Sequence, residues 1–283
     1  MTATTPTAPA QVPAVPAAEY RQRWSGLLAS EWTKIRSVRS TVWTLILFVV
    51  ITLGLGALFT WLTVANWNGP NAADRDARVA LDPVGFIMGA GLGLGQLTLC
   101  VLGVLVISTE YSTGVIRASL LAVPRRLKML TAKSVVFAAL LIVVAEIVTF
   151  GSFFLGSAIL HSHVAVSLGD HNVTRAVVGA GLYLTVLGLF SLAIGGIIRH
   201  TAGAITTAIG VVFVLPILSG LLPGSWGAHV NGYLPVQAGE LIGQQHPPAG
   251  GNVLSAWQGF GVFCLWTAVL LVIAGYLLQR RDA

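Results

Sequence analysis

Long apolar runs recur along this 283-residue chain, and each has roughly 20 residues, enough for a helix to cross the hydrocarbon core of a bilayer. Charged residues make up only 9% of the sequence, whereas soluble domains carry about 25%. A soluble chain with so few charges could not cover its own surface. The sequence therefore predicts an all-α, multi-pass membrane protein. It excludes an ordinary soluble enzyme, a secreted disulfide scaffold and a disordered chain.

Six transmembrane helices are predicted within a membrane domain that covers residues 42–283. The spans lie near residues 43–65, 84–107, 133–160, 176–198, 203–222 and 256–278. Glycines in the second span form two pairs with four-residue spacing, Gly85/Gly89 and Gly91/Gly95. Such pairs predict the close approach of a neighbouring helix.

The distribution of basic residues predicts the orientation of the spans. Thirteen of the sixteen Lys and Arg residues fall on one side of the predicted spans. Because basic loops stay in the cytoplasm, both termini are expected to be cytoplasmic.

The N-terminal segment divides into two parts before the first span. Residues 1–18 are rich in Pro, Ala and Thr and carry no charge, which predicts a disordered cytoplasmic tail. Residues 19–41 place apolar side chains at three- and four-residue steps among basic ones, which predicts an amphipathic helix in the membrane interface. The alternative is a solvated extension of the first span.

The loop over residues 108–132, between the second and third spans, has the most informative pattern. Residues 113–122 can form a short amphipathic helix that Pro124 ends. A short helix beneath the membrane could transmit the movement of a cytoplasmic partner to the spans. Four basic residues are expected to anchor the next span at the interface: Arg125, Arg126, Lys128 and Lys133. For the pair Arg125 and Arg126, the alternative to a role in coupling is a basic anchor that only obeys the positive-inside rule.

The segment over residues 223–255, between the last two spans, has no Lys or Arg. Its apolar stretch from Leu234 to Ile242 is bracketed by prolines and is too short to cross a membrane. A re-entrant or interfacial half-helix fits this pattern, because irregular backbone inside a membrane must be buried in protein or face water. A plain extracellular loop remains the alternative.

No catalytic motif appears in the sequence. The patterns GxxxxGK[ST], HExxH and GxSxG are absent, so neither a catalytic residue nor a bound cofactor or metal is predicted on this chain. Glu146 is the one acid well inside a span, which makes it a candidate for substrate or proton movement. It could instead be protonated and hydrogen-bonded, or line a wet cavity.

Three motifs resemble those of actinobacterial ABC-2 type transporter permeases. The first is Ser30-Glu31-Trp32-Thr33-Lys34-Ile35-Arg36-Ser37, ahead of the first span. The second runs from Glu110-Tyr111-x-x-Gly114-x-Ile116-Arg117 to Leu120-Leu121-Ala122-Val123-Pro124-Arg125-Arg126. The third is Tyr233-Leu234-Pro235 followed by Ala238-Gly239. The resemblance extends from about residue 20 to the end.

The resemblance implies a six-span permease of a bacterial plasma membrane, most simply an exporter. ATP and Mg would bind two copies of a separate ATP-binding subunit, and a second permease copy or a paralogue would complete the pathway. The chain would contact the lipid bilayer and no nucleic acid. Two alternatives remain open: an ion-coupled secondary transporter that uses Glu146, and a non-transporting sensor or immunity subunit.

The resemblance also assigns roles to residues. ATPase coupling falls to Glu110, Tyr111, Gly114, Ile116, Arg117, Leu120, Pro124, Arg125 and Arg126. The connecting helix is represented by Trp24, Glu31, Trp32, Lys34 and Arg36. The re-entrant segment near the outer exit is represented by Leu234, Pro235, Gly239 and Glu240.

Overall fold

A computed structural model describes residues 24–70, 72–114, 126–221, 225–246 and 254–280. Within these ranges the chain is helical and contains no strand. The helices are α1 (Trp24–Ser37), α2 (Arg39–Ala65), α3 (Ala72–Leu81), α4 (Pro83–Ser112), α5 (Arg126–Leu160), α6 (Val173–Ile198), α7 (Thr201–Gly220), α8 (Ser225–Tyr233), α9 (Pro235–Glu240) and α10 (Ala256–Arg280).

Six of these helices, α2, α4, α5, α6, α7 and α10, are long and apolar enough to cross a membrane. This confirms the prediction of an all-α protein with six membrane-length helices. Two helices extend furthest beyond the apolar runs from which the spans were predicted. Helix α4 continues to Ser112 rather than 107, and α5 begins at Arg126 rather than 133. Backbone hydrogen bonding continues through polar turns, so hydropathy alone underestimates helix length.

Helices α4 and α6 form the centre of the bundle. In the most apolar window of α6, 78% of residues are buried, and the value is 61% for α4 but 17% for α2 and α7. Glycine permits close contact between the two central helices. A Cβ added to Gly103 of α4 would lie 2.8 Å from Ser191 Cβ and 3.0 Å from Leu192 N on α6.

The two glycine pairs of α4 differ in what they contact. Gly91 and Gly95 pack against α2, where a Cβ on Gly91 would lie 3.1 Å from Gly56 Cα, as the spacing predicts. The same prediction is wrong for the other pair. Gly89 has nothing within 4 Å of an added Cβ, and the nearest atoms to Gly85 belong to Asp82, in the turn just before α4. That face of α4 borders a cavity rather than a helix.

The amphipathic segment ahead of the first span is shorter than predicted within the described residues. Helix α1 ends at Ser37, and Val38 has an extended backbone that separates α1 from α2. The buried residues of α1 are Leu27, Glu31 and Ile35, which lie on one face. The predicted tail over residues 1–18 and residues 19–23 of the predicted amphipathic helix lie outside the described residues.

Helices α8 and α9 are joined at Leu234, and residues 225–246 are called the hairpin below; α9 and the turn after it pack against α6 and α10. Trp266 Nε1 donates a hydrogen bond of 3.2 Å to the carbonyl oxygen of Tyr233, where the two helices join. Trp266 lies about 15 Å along α10 from the start of that helix. The junction of the hairpin is therefore level with the middle of α10. In α9, Val236 and Ala238 are fully buried, unlike the residues of a surface loop.

Candidate functional site

Four charged side chains from three helices meet at the end of the bundle where α1 lies. Lys133 of α5 donates hydrogen bonds to Glu31 of α1 (2.7 Å) and Glu110 of α4 (2.8 Å). Lys34 of α1 donates to Glu31 (2.7 Å) and lies 3.5 Å from Glu110. We call these four residues the ionic cluster. Its two positive and two negative side chains balance.

The ionic cluster is buried, which makes its charge balance important. Glu31 is 0% exposed and Lys133 is 1% exposed. Desolvating a charge costs several kcal/mol, and that cost is offset only when partners and hydrogen bonds are complete. Burial lowers the pKa of Lys34, but the hydrogen bond to Glu31 and the charge of Glu110 outweigh it, so the pKa is raised. Glu110 Oε2 has no hydrogen-bond partner within the described residues.

Lys133 is not an interfacial anchor, so that prediction is wrong. Its ammonium points into the bundle because the carboxylates of Glu31 and Glu110 lie there. The sequence does contain a signal for this position. Lys133 shares its helix face with Met129 and Val136, which are buried, and the three- and four-residue spacing places it toward the core.

Beside the ionic cluster, arginines bind neighbouring helix ends. The guanidinium of Arg199 lies 5.0 Å from the ring centre of Tyr111, and its Nη2 donates to the carbonyl oxygen of Leu277 (3.0 Å). Arg126 Nη1 donates to the carbonyl oxygen of Leu278 (2.9 Å). These contacts join the ends of α4, α5, α6 and α10.

The predicted coupling residues divide between described and undescribed parts of the chain. Gly114 lies just after α4 and has φ +72°, a left-handed conformation that favours glycine. Glu110, Tyr111 and Arg126 are also described, whereas five of the nine predicted coupling residues lie outside the described part: Ile116, Arg117, Leu120, Pro124 and Arg125. The structure therefore describes both ends of this segment and not its interior.

The predicted connecting-helix residues separate into two faces of α1. Glu31 and Lys34 belong to the ionic cluster, whereas Trp24, Trp32 and Arg36 are exposed. Of the five residues that the resemblance groups together, Lys34 lies near Glu110 of α4 and Glu31 binds Lys133 of α5.

At the opposite end of the bundle, two charged residues bind the hairpin. Arg175 donates to the carbonyl oxygens of Ile242 (3.2 Å), Gln244 (2.9 Å) and Gln245 (3.0 Å). Asp82 Oδ1 accepts from the backbone N–H of Gln245 (3.1 Å) and caps α4. Burial raises the pKa of Asp82, and hydrogen bonds from the backbone offset part of this rise.

Replacing Asp82 tests this contact. We expect Asp82→Ala to lose the helix cap and the bond to Gln245, and to destabilise the hairpin by about 1–2 kcal/mol. Asp82→Asn keeps an oxygen acceptor and should lose less. Hydrogen–deuterium exchange over residues 235–246 measures the difference. Equal exchange in both variants would show that the Asp82 acceptor does not hold the hairpin.

The predicted re-entrant residues surround a polar contact inside the bundle. Tyr183 donates a 2.7 Å hydrogen bond to Gln96 Oε1, and its hydroxyl lies 3.3 Å from Glu240 Oε1. Gly239 allows this approach because an added Cβ would lie 3.0 Å from the Tyr183 ring and 2.9 Å from Phe263. Leu234 and Pro235 begin α9.

Glu146 lies on α5, apart from these groups. Its carboxylate faces Gly181 of α6, where an added Cβ would lie 2.6 Å from Glu146 Oε1. Its Oε2 is buried and has no hydrogen-bond partner in the described part of the chain. Within the same part of the chain, no group of three or more His, Cys, Asp or Glu residues could hold a metal ion.

Comparison with known proteins adds no family assignment. Neither a protein family model nor a curated protein matches the chain.

Proposed function

We propose that this chain is the permease subunit of an ABC exporter, with both termini on the cytoplasmic side of a bacterial plasma membrane. A separate ATP-binding subunit, present in two copies, would bind ATP and Mg. A second permease copy or a paralogue would complete the pathway. The observation that carries the proposal is the ionic cluster, because it joins two of the motifs that resemble ABC-2 permeases.

The ionic cluster is well placed to transmit movement. Glu110 precedes the segment over residues 115–125 and Lys133 follows it, and both bind Glu31 or Lys34 of α1. A partner that displaces this segment would move α1, α4 and α5 together. Separating them would leave buried charges unpaired, which is energetically costly.

The hairpin supplies the proposed re-entrant element near the outer exit. Its junction is level with the middle of α10, and Arg175 and Asp82 hold its other end. In this arrangement, movement at the ionic cluster would reach the outer half of the bundle through α4, which extends from Asp82 to Ser112.

Site-specific crosslinking tests the proposed docking surface. A photoreactive amino acid at Thr113, which is exposed beyond the end of α4, is expected to capture an ATP-binding subunit in cells. The matched control is Arg78, whose side chain is 70% exposed at the opposite end of the bundle. Capture from position 78, or no capture from position 113, would contradict the proposed docking surface.

Arg117 is the residue of this segment that we expect to affect coupling most. Arg117→Ala should leave the complex assembled but lower permease-stimulated ATP hydrolysis roughly tenfold, as expected for a coupling free energy of 1–3 kcal/mol. The comparison uses hydrolysis by the purified complex and by the ATP-binding subunit alone. Lys128→Ala is the control and should retain stimulation; normal stimulation in Arg117→Ala would remove this residue from the mechanism.

Glu146 supports a second candidate function, an ion-coupled secondary transporter. The supporting observation is the buried carboxylate oxygen that lacks a partner within the described residues. In that case Glu146→Gln would abolish transport and no ATPase would be required. A sensor or immunity subunit would instead bind its partner without substrate-stimulated hydrolysis.

A further inference from the structure

A cavity of about 310 Å³ lies between α4, α6 and the hairpin. It extends along one face of α4, and the distance from Asp82 to Gln96 along that helix is about 20 Å. Its volume falls within the range of small-molecule sites. Residues from all three elements line it: Asp82, Gly85, Met88, Gly89, Leu92, Gly93, Gln96, Ala180, Tyr183, Glu240, Gly243 and Gln244.

Missing side chains on α4 keep the cavity open. Neither Gly89 nor Gly93 would bring an added Cβ within 4 Å of another atom. At Gly103, also on α4, the space where a side chain would lie is occupied by atoms of α6. The space beside Gly89 and Gly93 is therefore not needed for helix packing.

The charges of the cavity wall are unbalanced. Asp82 and Glu240 are acidic, and none of the described residues that line the cavity is basic. Arg175, which is not among the lining residues, interacts electrostatically with Asp82. The described polar groups beside Glu240 are uncharged: the hydroxyl of Tyr183, 3.3 Å from Oε1, and the side-chain amide of Gln96. A carboxylate in this position favours a cation.

We propose that the cavity binds a small organic ammonium ion, with the cationic group at Glu240 and the apolar part against Met88 and Leu92. Asp82 and Glu240 are the only His, Cys, Asp or Glu side chains among the described residues that line the cavity, so its donor set suits an ammonium group better than a metal ion. The binding does not depend on how transport is powered, so failure of this proposal would leave the ATPase docking surface intact.

The proposal is tested by calorimetric titration of the purified protein in lipid nanodiscs, with empty nanodiscs as the blank. The cationic probes are phenethylammonium and butylammonium. Phenethyl alcohol and hydrocinnamate are the neutral and anionic probes of similar size. We expect saturable binding of at least one cation, and about tenfold weaker or no binding of the other two compounds. Binding of neither cation, or equal binding of the alcohol, would overturn the proposal.

Variants locate the binding in the cavity. Gly93→Leu should fill the open space and abolish binding, whereas Gly261→Leu is the matched control because its added Cβ also meets nothing within 4 Å. Glu240→Gln keeps the side-chain shape and should weaken cation binding about tenfold. Unchanged binding in a folded Gly93→Leu protein would place the probe elsewhere and overturn the proposal, whatever the result with Glu240→Gln.

Discussion

Replacing Lys133 with methionine is expected to destabilise the folded protein by about 3–5 kcal/mol. Methionine fills a similar volume but leaves the carboxylates of Glu31 and Glu110 without the ammonium that now lies 2.7 Å and 2.8 Å away. Lys34 also reaches both carboxylates, but it lies 3.5 Å from Glu110. The loss of stability is measured by heating the protein in mild detergent and determining the remaining folded fraction by size-exclusion chromatography.

Two further variants separate charge imbalance from loss of packing. Lys133→Met combined with Glu31→Gln restores the charge balance and should recover part of the lost stability. Lys128→Met, on the same helix, removes a lysine outside the ionic cluster and should have a small effect. If Lys133→Met is as stable as Lys128→Met, the ionic cluster does not hold α1, α4 and α5 together.

Introducing leucine at Gly103 is expected to cost about 3 kcal/mol, the upper range for overpacking a helix interface. The clash involves the α6 backbone, because an added Cβ would approach the Gly188 carbonyl oxygen and lie 3.0 Å from Leu192 N. Backbone atoms of a central helix cannot move aside as a flexible side chain can. The expected result is a lower unfolding temperature and a smaller yield of monodisperse protein.

Gly261→Leu is the matched control for this substitution. Gly261 also lies within a membrane-length helix, α10, but has open space around an added Cβ. Leucine favours the helix more than glycine does, so this variant should be as stable as the native protein or slightly more stable. Equal destabilisation of both variants would mean that contact between α4 and α6 is not the reason for the loss at Gly103.

Hydropathy predicts the number and approximate positions of the membrane-length helices, but not how they pack. Apolar runs identify six membrane-length helices because a helix that crosses a bilayer needs about 20 apolar residues. The same runs do not identify the bundle's centre, since α2 and α6 are both apolar but differ in burial. Contacts between residues far apart in sequence, such as Gly103 with Gly188, determine this difference.

The candidate sites were only partly predictable. Motifs identified Glu31 and Glu110, but Lys133 was interpreted as an interfacial anchor because basic residues cluster nearby in the sequence. Its burial follows from helix periodicity together with two carboxylates from other helices. The cavity beside Gly89 could not be predicted, because four-residue glycine spacing fits either a close helix contact or an open groove.

Affinity purification of the chain in mild detergent, with an assay for a co-purifying ATPase, tests the central claim most directly. We expect an ATP-binding subunit in equal amount to the permease chain, with ATP hydrolysis in the purified complex. Purified chain without an ATPase, even after crosslinking in cells, would contradict an ABC permease. That result would favour the secondary transporter and make Glu146→Gln the decisive variant.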